Sequence, residues 1–340
     1  MSYQDSAWSL REFLYHQHDK TAQITVISKG KCFEIELAPA NFSHSPSSLQ
    51  TYMKFMDAIC DDEDYSLAYE AEEDLYAWAL SPFLPIFADI DPSPSDSNHF
   101  TLRDYLSPQI YRYVLFVTHE HLEPRLNYIV PSQSRPNGLD PGDLALHPNW
   151  CKVRPEDIQI PGTDYNELYS RSPNKVIAVG TTCFLKRLES GDRKAAIREL
   201  GVYKQIETLG LSDHIHVPRL VGVVQDEEQE SRITGILLTW VQCGYRTLHC
   251  ALEPATSFDL RKRWDTQVTN TLDFLHEAGI IWGYVKADNV LIDDEKNAWV
   301  VDFGGGYTRG WVEKSRMDTV EGDQEGLAKI KDFLYQGKTF

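Results

Sequence analysis

Trp282-Gly283-Tyr284-Val285-Lys286-Ala287-Asp288-Asn289-Val290-Leu291-Ile292-Asp293, followed by Val300-Val301-Asp302-Phe303-Gly304, is the stretch on which the reading of this chain turns. Two short apolar runs, Val290 to Ile292 and Trp299 to Val301, each precede an acidic residue. They are separated by Asp293-Asp294-Glu295-Lys296-Asn297, a composition that predicts a hairpin turn. Asn289 and Asp302 then fall at the same end of a two-stranded ribbon. An amide oxygen and a carboxylate held together suit a hard divalent cation, because Mg²⁺ takes oxygen ligands and usually shares them with a nucleotide phosphate.

The same stretch resembles the catalytic loop and metal-binding turn of the protein-kinase-like superfamily, H-R-D-L-K-P-E-N followed by D-F-G. Asn289 and Asp302 lie 13 positions apart, the interval that family uses, and Leu275 to Ile281 resembles the end of the helix that leads into its loop. The resemblance implies ATP and Mg²⁺ as cofactors and Asn289 and Asp302 as metal ligands. It also implies that Lys286 neutralises the γ-phosphate. One position departs from the pattern. Tyr284 stands where the family has the Asp that accepts the substrate hydroxyl proton. A phenol with an ordinary pKa of about 10 is mostly protonated at neutral pH and is a poor replacement for a carboxylate. Trp282 and Gly283 replace the His-Arg pair, so the usual contact from a loop Arg to an activation-segment phosphate is not expected.

Upstream, Val176 to Val179 and Cys183 to Leu188 predict a hairpin, with Lys186 in the position of the family's strand lysine. After Ser190-Gly191-Asp192 a helix supplies Glu199, which would pair with Lys186 and set its ammonium on the α- and β-phosphates. Glu207 on the same helix is the competing partner, and a solvated Lys and Glu would read the same way. Pro218 to Val224 and Ile233 to Val241 predict two further strands. By order alone Leu238, Thr239, Trp240 and Val241 fall at the hinge that would hold adenine. The expected glycine-rich loop is missing: only Gly162 lies between Ile160 and Val176, which implies altered phosphate gripping.

Phe258 to Gly279 predicts an amphipathic helix with Leu260, Trp264, Val268, Leu272 and Leu275 on one stripe. Asp323 resembles the buried helix Asp that fixes the family's catalytic-loop backbone. No A-P-E follows, and 17 residues remain after Asp323, so a truncated large lobe is expected. The runs W-G-x-V-K-A-D-N-V-L-I-D and D-F-G-G-G-Y-T-x-G-W-V are similar to a group of fungal kinase-like proteins, in which an Asp is usual where this chain has Tyr284.

Composition bounds the partners. A net charge of −18 disfavours nucleic-acid backbones and anionic membrane surfaces, whose binding rests on cations. No apolar run approaches the ~20 residues needed to span a bilayer, and a cytoplasmic or nuclear address is expected. The six cysteines show no C-x-x-C pair and no His at metal spacing, so zinc is not expected.

Residues 1–150 carry no chemical motif. Gln23 to Ile27, Cys32 to Leu37 and Tyr113 to Val117 predict strands, and Leu49 to Cys60 and Glu70 to Leu84 predict helices. Thr101 to Leu106, the polar Asp91-Pro92-Ser93-Pro94-Ser95-Asp96-Ser97 loop and a linker over 131–148 complete the region. The expected fold is therefore α+β: a small α+β module over 1–150, then a two-lobed protein-kinase-like fold with its small lobe over 151–241 and a truncated large lobe over 242–340. Three functions fit: a nucleotide-binding pseudokinase, a weakly or fully active phosphotransferase using a different base on a protein or small molecule, and a non-catalytic interaction scaffold with a protein partner.

Overall fold

Continuous burial from Ile24 to Ile27 and alternating burial at Phe33, Ile35 and Leu37 build the first sheet. The computed structural model describes residues 8–60, 65–91, 100–130, 138–144, 146–162, 172–188, 193–229 and 231–336. Five strands form that sheet in sequential order: β1 (Ser9–Tyr15), β2 (Ala22–Ser28), β3 (Lys31–Leu37), β4 (Ile110–Thr118) and β5 (His121–Val130). β3 and β4 run parallel and the other neighbours antiparallel. A parallel pair needs a long crossover. It contains α1 (Pro46–Ile59) and α2 (Tyr65–Leu80). Ser45 caps α1 by accepting from the Ser48 N–H, and Pro46 sits in the first turn, where its missing donor costs nothing. Tyr52, Met56, Leu75 and Ala79 from the helices join Phe33, Phe83, Phe87 and Leu115 in one core.

The chain divides into two compact units: Met1–Arg135 with Ile158–Pro173, and Pro136–Asp157 with Asn174–Phe340. Ile158 accepts from the Leu102 N–H, and Ile160 donates to Phe100, which ties that later segment into the first unit. Within the second unit, Leu139 exchanges backbone hydrogen bonds with Ile233.

The second unit opens on another mixed sheet, in the order β6 (Cys151–Val153), β9 (Leu220–Asp226), β10 (Arg232–Thr239), β8 (Thr181–Arg187), β7 (Lys175–Ala178). α3 (Arg193–Thr208) follows β8 in the chain and buries Ala196, Leu200, Tyr203 and Ile206. The mainly helical part contains α4 (Phe258–Glu277), the ribbon β11 (Val290–Ile292) and β12 (Ala298–Val300), and α5 (Val320–Gln336). Four of the five residues of the expected α4 stripe, Trp264, Val268, Leu272 and Leu275, are fully enclosed, and Leu260 packs against them partly buried. This α+β arrangement, a five-stranded sheet module followed by a kinase-like fold, is the expected class.

Differences from the expected elements have local causes. β10 ends at Thr239, where the Thr239 N–H donates to Arg219 and its hydroxyl accepts from the Arg219 N–H, so Trp240 and Val241 lie past the strand. β1 carries a register shift between Leu10 and Glu12 that breaks its alternation. β5 contains Pro124, a residue that argues against a central strand but is tolerated at a sheet edge, where β5 sits. The Ser190-Gly191-Asp192 turn, residues 92–97 of the polar loop, residues 131–137 of the linker and residues 163–171 of the glycine-poor stretch lie outside the described residues. Among the described residues, no helix is long and apolar enough to cross a membrane.

Candidate nucleotide site

The ribbon sets the site. Val290 pairs with Val300, Leu291 with Trp299 and Ile292 with Ala298, so Asn289 and Asp302 emerge at one end. A backbone bond from the Val301 N–H to the Asn289 carbonyl, 3.1 Å, holds that end closed. Asn289 is buried, and its side-chain amide donates to the Tyr284 carbonyl at 2.9 Å. That bond orients the amide and leaves its oxygen as the group able to meet a cation. Asp302 has φ +67°, a left-handed conformation that Asp tolerates better than most residues.

Lys186 lies on β8, in register with Ile236 of β10. Its ammonium sits 2.7 Å from Glu199 Oε2 and 2.8 Å from Asp302 Oδ1. One cation thus joins the sheet, α3 and the turn after the ribbon. Burial works against the Lys186 charge, but Glu199 and Asp302 together outweigh it and hold the ammonium above its ordinary pKa. Burial pushes the Glu199 carboxyl up, against the opposing pull of Lys186. Glu199 is only 2% exposed, so its charge depends chiefly on Lys186, with a smaller contribution from the Phe303 backbone N–H.

Phe184, Leu238, Val241, Leu291 and Val301 provide the apolar lining of a cavity of about 390 Å³. Lys186, Glu199, Asn289 and Asp302 line the same cavity, as do Thr239 and Trp240. The size and the mixture of apolar walls with a few converging polar groups fall within the range of small-molecule sites. Among the described residues, no group of three or more His, Cys, Asp and Glu could hold a metal by itself. An Asn oxygen and one carboxylate match instead a Mg²⁺ ion that takes its remaining ligands from phosphate and water. The donor set therefore fits a metal that arrives with a nucleotide.

Tyr284 and Lys286 face each other beside this cluster. Lys286 Nζ lies 3.1 Å from the Tyr284 hydroxyl oxygen and 3.4 Å from Thr308 Oγ1, and it sits 4.2 Å from the centre of the Tyr284 ring. Hydrogen bonding to Thr308, then to Lys286, lowers the phenol pKa below its ordinary value. The ring also requires Gly306: a β-carbon there would lie 2.8 Å from Tyr284 Cζ. Gly306 and Thr308 lie in the D-F-G-G-G-Y-T run, but nothing in the sequence ties either to Tyr284, since that link exists only once the segment folds back.

The loop is fixed from below by Asp323 on α5. Its carboxylate accepts from the Trp282 N–H at 2.8 Å and the Gly283 N–H at 2.7 Å, and His276 Nε2 lies 2.9 Å away. A carboxylate can only accept, so that ring nitrogen carries the hydrogen. Trp282 is enclosed and donates through Nε1 to the Val301 carbonyl, tying the loop to the ribbon.

Residues 167–328 match the family profile described as protein kinase domain. The chain is 31% identical over 142 residues to the tyrosine kinase receptor Cad96Ca of Drosophila melanogaster, covering 36% of this chain and 17% of that protein. It is 28% identical over 148 residues to salt tolerance receptor-like cytoplasmic kinase 1 of Oryza sativa subsp. japonica, covering 40% and 37%. It is 28% identical over 105 residues to the cAMP-dependent protein kinase catalytic subunit of Dictyostelium discoideum, covering 30% and 16%. In each case the match spans well under half of the relative's length.

Proposed function

We propose that this protein-kinase-like chain binds Mg-ATP in the cavity between β8 and the β11–β12 ribbon, and that phosphoryl transfer from that site is slow or absent. The observation that carries the reading is Lys186 held at 2.7 and 2.8 Å between Glu199 and Asp302 at the wall of an apolar cavity. A cation fixed by two carboxylates is positioned for phosphate oxygens without further rearrangement. When bound, Mg-ATP would supply an electrophilic phosphorus and a leaving group whose charge the metal offsets.

This chain's own residues divide the remaining work. Leu238, Thr239, Trp240 and Val241 would flank the base, Lys186 would meet the phosphates, and Asn289 and Asp302 would hold the metal. Tyr284 takes the place where a carboxylate would accept the proton of an incoming hydroxyl. Its own oxygen is already engaged by Lys286 and Thr308. General-base assistance contributes about 10²–10⁴-fold, so a chain lacking it retains the binding and positioning parts of the chemistry. The lowered phenol pKa favours a second reading, slow transfer to a hydroxyl on a protein substrate with the phenolate as base.

A thermal-shift titration with ATP, with and without Mg²⁺, tests the site. At about 100 times its dissociation constant a ligand stabilises by about 2.7 kcal/mol, or about 5–10 °C for a unit of this size. A Mg²⁺-dependent shift that vanishes in Asp302→Ala supports the proposal, and no shift with any nucleotide rejects it. Phosphate release by the intact chain then separates slow transfer from none.

A further inference from the structure

Arg198 precedes Glu199 on α3 and faces another direction. Its guanidinium runs between the loop at Gly283 and the turn at Gly305 and pairs with Asp318. Both glycines have positive φ, +75° and +78°, and a β-carbon at either would land on the guanidinium. Ala195, one turn earlier on α3, makes the matching close approach: a β-carbon on Gly304 would lie 3.3 Å from its own. The passage is therefore bordered by two consecutive glycines, Gly304 and Gly305, on one side and by Gly283 on the other.

The far end of the passage is anchored. Thr319 Oγ1 donates to the Arg316 carbonyl at 2.8 Å and accepts from the Gly322 N–H at 3.0 Å, fixing the turn that carries Asp318 to the start of α5. The same helix holds the Gly283 N–H through Asp323. Arg198 thus closes a circuit from α3 through the loop to α5. The guanidinium end is more enclosed than the carboxylate, with side-chain exposures of 24% and 50%.

We propose that Arg198 is a positioning residue that sets α3, and with it the Glu199 carboxylate, against Lys186, by pairing with Asp318 through the gap kept open by Gly283 and Gly305. In its effect on nucleotide this rests on the reading of the site given above; in its effect on α3 it does not. Without the pair, α3 loses its tie to the loop, Glu199 leaves Lys186 for part of the time, and affinity for phosphate-bearing ligands falls by the competent fraction.

The test uses the full chain as Arg198→Ala, the near-isosteric and half-exposed Asp318→Asn, their double variant, and Asp318→Glu. Amide hydrogen exchange over 193–208, measured without nucleotide, should speed up about two- to fivefold in either single variant, the scale of a partly exposed ion pair. The double variant should match the singles, and Asp318→Glu should match the parent. The ratio of the dissociation constants of Mg-ATP and adenosine should shift against Mg-ATP by the fall in the fraction of chains with Glu199 on Lys186, because adenosine has no phosphates for Lys186 to meet. Unchanged exchange in both single variants, or additive effects in the double, would overturn the proposal. If the parent chain binds neither Mg-ATP nor adenosine, the reading of the site fails, and the exchange measurement alone decides the role of Arg198.

Discussion

Replacing Lys186 by Met removes the cation placed against the almost fully buried Glu199 carboxylate. Breaking a buried pair from one side costs about 3–5 kcal/mol, because the remaining charge is left uncompensated. The Lys186 side chain is 33% exposed while that of Glu199 is 3% exposed. Water screens the pair from the lysine side, which brings the expected loss to about 2–3 kcal/mol, or about 5–10 °C in the melting temperature of the second unit. The loss must also depend on pH in a definite direction. Burial already raises the Glu199 pKa from 4.5, and loss of the ammonium raises it further. The folded state then holds a proton that the unfolded state releases, so stability is greatest below 4.5 and declines as pH rises toward the folded value. Lys186 itself adds no slope near neutrality: its raised pKa keeps its contribution intact below 10.5, and that contribution is lost only as pH rises through the folded value. Calorimetry between pH 5 and 8 should therefore find Lys186→Met closest to the parent at pH 5 and furthest from it at pH 8. Lys186→Met with Glu199→Gln should recover most of the loss and flatten the profile. A Lys186→Met deficit independent of pH, or no recovery in the double variant, would refute the account of Glu199 as a charge held chiefly by Lys186.

Three further outcomes are expected. Gly306→Ala should cost about 1–3 kcal/mol by overpacking against the Tyr284 ring, and Gly306→Ala combined with Tyr284→Ala should cost less than the sum of the two singles by denaturant titration. Asp323→Ala strands the Trp282 and Gly283 N–H groups, at about 1–3 kcal/mol each; urea unfolding should show a loss of about 2–6 kcal/mol, with Asp323→Asn milder because one acceptor oxygen remains. The Tyr203 hydroxyl is buried with no hydrogen-bond partner among the described residues, while its ring packs edge-on to Phe303 at 5.6 Å. Tyr203→Phe keeps the ring and removes the stranded group, so melting should rise by about 2–4 °C, for about 1 kcal/mol.

The ribbon end and α4 were legible in the sequence because each rests on a short-range pattern. Asn289 and Asp302 meet through a five-residue turn between two apolar triplets, and Trp264, Val268, Leu272 and Leu275 recur at helical spacing. Glu199 and Glu207 both remained open as partners of Lys186 until the packing of α3 enclosed Glu199. The passage of Arg198 left no such trace. Its partner lies 120 positions away, and the signal is shared by glycines that read equally well as ordinary turn residues. β5 was hidden by Pro124, which becomes acceptable only when the strand is known to be an edge.

Tyr284 is the position where sequence and structure bear on each other most. Read along the chain, it is a single replacement for a carboxylate. In the fold it belongs to a set: Gly306 leaves room for the ring, and Thr308 and Lys286 engage its oxygen and hold the phenol below its ordinary pKa. A carboxylate placed by Tyr284→Asp would inherit the Lys286 ammonium but not the surface against Gly306, and the loop would be free to shift into the space the ring had filled. On the proposed reading, restoring the base alone should therefore gain turnover nearer the low end of the ~10²–10⁴-fold range than the high end. Filling the space with Gly306→Ala in the Tyr284→Asp background should raise it further. A gain near the top of the range from Tyr284→Asp alone would mean that Gly306 and Thr308 are incidental to Tyr284, and that the replaced carboxylate by itself accounts for the slow transfer.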